Sequence, residues 1–139
     1  MIEIFSWSDK DSVGIKEIDE QHKQLMGILN ELGTALLEFK APEVIDAVFE
    51  KVFDYTREHF ATEERLFKKY NYPEEEKHKV EHDQMIAKVA QFKKEYDRGN
   101  KMIGTALMDF LKQWCKDHMK VTDYRYISFF KELGVTRAA

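Results

Sequence analysis

The chain has 139 residues, 43% of them hydrophobic and 35% charged, with a formal net charge of −4. That is enough for one buried core and too little to suggest two, and the acidic balance with dispersed lysines gives no footprint for nucleic acid or an anionic membrane. No apolar run approaches the roughly 18 residues of a membrane span, the stretch Met1 to Trp7 lacks the regions of a signal peptide, and the single cysteine, Cys115, excludes an internal disulfide framework, so a cytoplasmic location is expected.

The pattern predicts one domain over 1–139, with an N-terminal arm over 1–18 and helices over roughly 19–39, 43–70, 74–98 and 102–120, then a short C-terminal helix over 122–132. In the first helix His22, Leu25, Leu29, Leu32, Leu36 and Phe39 recur at steps of three and four, which puts them on one face. The second carries Ile45, Val48, Val52, Thr56, His59, Glu63, Leu66 and Tyr70 on the same kind of stripe, so a histidine and a glutamate stand where core residues belong. The third reads His78, His82, Met85, Val89, Phe92, Tyr96, and the fourth Ile103, Leu107, Leu111, Trp114, His118. Every histidine in the chain therefore points inward.

The breaks at Ala41-Pro42, Asn71-Tyr72-Pro73 and Arg98-Gly99-Asn100 are short, and short connections favour antiparallel neighbours. The predicted fold is all-α, an antiparallel up-down-up-down four-helix bundle with an N-terminal extended arm. In such a bundle the start of one helix lies level with the end of the next. His22 is near a start, His59 and Glu63 near an end, His78 and His82 near a start and His118 near an end, so all of them converge on one level.

Imidazole nitrogens with carboxylate oxygens and no thiolate in the motif suit iron, zinc, manganese or copper better than calcium or magnesium. Five histidines and the carboxylates are too many for one ion. Two metals sharing carboxylate bridges would use them all and would offset charge that is costly to bury. His78 and His82, and likewise His59 and Glu63, stand four apart and share a helix face.

These motifs resemble the hemerythrin family, in its bacterial single-domain form. The pattern of one histidine on the first helix, H-x-x-x-E on the second, H-x-x-x-H on the third and H-x-x-x-x-D on the fourth is present as His22, His59 and Glu63, His78 and His82, and His118 and Asp123. The arm from Trp7-Ser8 to Val13-Gly14 and the lead-in Ile18-Asp19-Glu20-Gln21-His22-Lys23 are similar to the family's approach to its first ligand. The resemblance implies two non-haem iron ions, oxo- or hydroxo-bridged. His78, His82 and His118 would hold one and His22 and His59 the other, with Glu63 and Asp123 bridging. It implies reversible dioxygen binding at the iron with fewer ligands, hence an oxygen carrier, store or supplier to an oxygen-consuming enzyme, and not an enzyme itself. The alternatives are a di-iron enzyme or stress protein acting on peroxide or nitric oxide, and an oxygen or redox sensor module. A monomer is the favoured state.

Asp123 lies five residues beyond His118, which on a regular helix rotates it well away. It reaches the site only if the helix loosens into a π-type turn or if it approaches from the helix end. Phe60, Trp114, Cys115 and Met119 are candidates to wall an oxygen pocket. Similarity suggests that Cys115 occupies a position usually filled by an aliphatic residue, and it also suits plain packing as a small hydrophobe. Phe67, Tyr70 and Tyr126 are further aromatics near the motif that suit pocket wall or core equally.

Overall fold

The computed structural model describes residues 5–12, 14–118 and 123–133, the side chains of 123–126 excepted. Its helices are α1 (Lys16–Leu37), α2 (Pro42–Lys69), α3 (Glu75–Asp97), α4 (Gly104–Asp117) and α5 (Asp123–Glu132), and the described residues contain no strand. The fold is the expected all-helical bundle.

The reversals between helices share one device. After α1, Phe39 adopts φ 52° and Lys40 N–H bonds back to Ala35 C=O at 2.9 Å; after α2, Asn71 adopts φ 55° and Tyr72 N–H bonds to Phe67 C=O at 2.9 Å. After α3 the left-handed residue is Gly99, with Asn100 N–H bonding to Glu95 C=O at 3.1 Å. A left-handed residue with a bond reaching back five positions closes the helix end and turns the chain. Pro42 then opens α2 at a position where its missing N–H costs no helical bond.

This device corrects one expectation. The spacing places Phe39 on the buried stripe of the first helix, but it is 61% exposed. The apolar spacing runs on in sequence while the chain has already left the helix at Leu37.

The arm also differs from a uniformly extended segment. It turns through a short 3-10 segment at Asp9–Asp11, capped by Ser8 and Asp11, and α1 begins at Lys16. Asn30 pins it: Phe5 N–H donates to Asn30 Oδ1 at 2.7 Å and Asn30 Nδ2 donates to Phe5 C=O at 2.8 Å. A buried amide and a stretch of free backbone thereby satisfy each other. At the start of α4, a Cβ on Gly104 would stand 3.2 Å from side-chain carbons of Leu36 and Leu37, so glycine lets α4 close on the end of α1.

The apolar interior falls into two clusters. The larger includes Leu25, Leu29 and Leu32 of α1, Val48, Phe49, Val52 and Phe60 of α2, Met85 and Val89 of α3, and Leu107, Leu111 and Cys115 of α4. The smaller comprises Ile15, Ile18, Leu66, Phe67, Tyr72 and Phe130. Along α1 the order is Ile18, His22, Leu25, and along α2 it is Phe60, Glu63, Leu66. The histidine layer lies between two dry clusters.

Candidate metal centre

His22, His59, Glu63, His78, His82 and His118 are each at most 3% exposed, and Glu63 is wholly buried. The antiparallel packing brings them to one level, as their places near helix starts and ends require. Glu63 is the hub. Its Oε1 lies 3.1 Å from His59 Nε2 and 3.2 Å from His82 Nε2, and its Oε2 lies 3.6 Å from His78 Nε2.

Two groups of donor atoms result. Glu63, His78, His82 and His118 form one and His22, His59 and Glu63 the other, with all donor atoms of a group within 4.8 Å of one another. One carboxylate belongs to both. The imidazole rings crowd edge to face, with centroids 4.5 Å apart for His22 and His59, for His78 and His82, and for His78 and His118.

Donor chemistry and protonation fit a cation pair. The Glu63 oxygens and His82 Nε2 are buried and face one another across the cluster rather than solvent, the arrangement expected of groups meant for a metal. Burial, reinforced by neighbouring His59, pushes the His22 pKa down to about 3. Burial likewise holds His118 well below the ordinary histidine range. Burial acts to raise Glu63, but the charge and hydrogen bonds of His59, with those of His78 and His82, hold it well below the usual carboxylate range. Neutral imidazole at His22 and His118 with ionised Glu63 between them is the state that binds metal.

Aromatic rings brace the imidazoles. Phe60 stacks on His82 with centroids 3.6 Å apart, Trp114 stacks on His118 at 4.2 Å, and Phe67 meets His78 edge-on at 4.7 Å. Phe60 and Trp114 thus pack on the three-histidine group. Tyr70 packs on Phe130, with centroids 5.7 Å apart, in the smaller cluster. Cys115 is buried in the larger cluster and belongs to neither donor group.

His118 closes α4, its N–H bonding to Trp114 and Cys115 C=O, and residues 119–122, over which a loosened turn toward an aspartate five residues on would run, lie outside the described residues. Asp123 is the first residue of α5, but its side chain lies outside the described residues, as do Met119 and the side chain of Tyr126.

Sequence reasoning missed the groups that hold the outer nitrogens. His59 Nδ1 lies 2.8 Å from Gln21 Oε1, and His82 Nδ1 lies 3.3 Å from Glu64 Oε2. Gln21 Nε2 in turn donates to Thr62 Oγ1 at 3.0 Å, and the Thr62 hydroxyl donates to Glu58 C=O at 3.1 Å. Gln21 and Glu64 each adjoin a donor residue in sequence, the one available hint, since a polar neighbour rotated about 100° from a buried ligand faces the next helix.

The hemerythrin HHE cation binding domain matches residues 13–130. The chain is 35% identical over 130 residues to a bacteriohemerythrin of Clostridium acetobutylicum, covering 89% of this chain and 99% of that one. It is 33% identical over 120 residues to a bacteriohemerythrin of Stenotrophomonas maltophilia, covering 86% of this chain and 77% of the relative. A crystal structure of wild-type hemerythrin superposes with a TM-score of 0.79 at 24% identity, over 88% of this chain and 94% of that one, a likeness of fold. A family match spanning most of the chain and relatives above 30% identity agree with the buried histidine and glutamate cluster: the chain belongs to the hemerythrin family.

Proposed function

We propose that the buried cluster holds two iron ions and that the protein binds dioxygen reversibly as a carrier, store or supplier. The observation that supports this most is the membership of Glu63 in both donor groups, because a shared carboxylate is what a pair of adjacent cations needs. A pair of ferrous ions held by these residues would supply the reversible two-electron chemistry that dioxygen binding and release require. By family resemblance Asp123 is a second bridge.

The chain's own residues do the rest. Among the described residues His78, His82 and His118 join Glu63 on one side and His22 and His59 join it on the other, and the second group, with fewer donors, is the one proposed to take the ligand. The apolar clusters above and below exclude water, and stacked rings hold the imidazoles in place. An imidazole-rich set also favours stopping at binding, since oxidases of carboxylate-rich bundles use more anionic ligands.

Absorption spectra of the reduced protein before air, after air and after deoxygenation test the reading. An oxygen-dependent band that appears and disappears over repeated cycles without added reductant is expected. Oxidation in a single turnover, with a reductant needed for each further cycle, moves the assignment to an enzyme acting on peroxide or nitric oxide.

A further inference from the structure

One histidine of each donor group has a different kind of side chain behind its outer nitrogen. His59 Nδ1 faces a neutral amide, Gln21, and His82 Nδ1 faces a carboxylate, Glu64. The amide's orientation follows from its neighbours. The Thr62 hydroxyl spends its proton on Glu58 C=O, so toward Gln21 it can only accept, and the Gln21 atom facing it must be the NH₂. The Gln21 carbonyl oxygen is then the atom facing His59, and His59 Nδ1 must carry a proton. With Nδ1 holding that proton, Nε2, the nitrogen turned toward Glu63, is the one His59 can give to a metal, losing its own proton as the metal binds. At His82 the facing group is the carboxylate of Glu64 rather than an amide, and it accepts from Nδ1 in the same way.

A hydrogen bond to the outer nitrogen fixes ring orientation and raises the basicity of the inner one, more strongly when the acceptor is anionic. We infer that Gln21, oriented by Thr62, and Glu64 are positioning residues that make the two metal positions unequal, Gln21 keeping the His22, His59 and Glu63 position the weaker. This rests on the metal-centre reading above. It goes beyond that reading because unequal donor number by itself makes no demand on Gln21, Thr62 or Glu64.

Titration of the metal-free protein with cobalt(II), followed by visible absorption and calorimetry, tests it without any oxygen chemistry. The wild type should bind in two steps of unequal affinity. Gln21→Leu should weaken the second step by about 10- to 100-fold, the usual scale for losing such a partner, and leave the first unchanged. Gln21→Glu should tighten the second step and narrow the gap, a gain that misfolding cannot produce. Thr62→Val, which frees the amide to flip, should weaken the second step less than Gln21→Leu, and Thr62→Ser should restore it. Glu64→Gln should weaken the first step alone.

Two unchanged steps in Gln21→Leu and Gln21→Glu, or equal weakening of both steps in each variant, overturn the inference and leave the metal centre standing. Failure of the wild type to bind two cobalt ions overturns both.

Discussion

Phe60 and His82 lie face to face, their ring centroids 3.6 Å apart and their planes within 2° of parallel. Phe60 follows His59 in α2, so one helical turn delivers a histidine to one donor group and a ring that clamps a histidine of the other. The side chain is 3% exposed and part of the larger cluster. Phe60→Leu should cost roughly 1 to 2 kcal/mol of stability in the metal-free protein. It should also let a chelator remove metal several-fold faster by freeing the His82 ring. Urea unfolding and timed chelator competition separate the two effects, and an unchanged stripping rate would show that the stack only packs.

Glu63→Gln keeps the shape of the hub and removes its charge. Without that anion two cations would face each other in a dry interior with less compensation, so the metal content should fall from the proposed two irons per chain to one or none. Metal analysis of the reconstituted variant measures this directly. Retention of two irons with an unchanged spectrum would mean that Glu63 is not the bridge.

Much of this arrangement was legible because helical periodicity is strict. His59 and Glu63 occupy stripe positions of α2, and their burial follows from the apolar residues on either side. What periodicity could not supply was the end of each stripe. Phe39 continues the spacing but sits past a left-handed turn, a backbone event with no glycine to announce it. Nor could it supply groups one step off the stripe. Gln21 and Glu64 bridge between helices, and which polar side chain reaches a neighbour's imidazole depends on interhelical rotation that a single helix does not encode.

Cys115 stands three residues before His118 on α4, buried among the apolar residues of the larger cluster. Because it belongs to neither donor group, Cys115→Leu should leave iron content unchanged. The added bulk should cost about 1 to 3 kcal/mol if the surrounding core cannot adjust. If the side chain borders the oxygen site, the rate of autoxidation should shift as well. Equal rates in the two proteins place Cys115 in ordinary packing, and loss of iron would make its sulfur a participant in the centre.

Without metal, the buried imidazoles make the fold sensitive to acid in a defined direction. His22 in the folded chain has its pKa lowered from 6.5 to about 3, chiefly by burial, and His118 is lowered in the same sense. A lowered folded value means that the unfolded chain binds the proton first, so stability is fully present above about pH 6.5 and is lost as the pH falls toward 3. Glu63, held below its ordinary range, adds a loss of the same sign at lower pH. Between pH 7.5 and 5.5 each such histidine should remove about 1 kcal/mol, read as a lower urea midpoint for the metal-free protein. Bound metal should suppress the effect over that interval, because it holds the imidazoles unprotonated and adds its own binding free energy to the folded state. The His22→Gln variant should lose about half of the pH dependence in the metal-free form. An apoprotein equally stable at both pH values would mean that its histidines reach solvent, and that the dry layer between the two apolar clusters forms only when metal is bound.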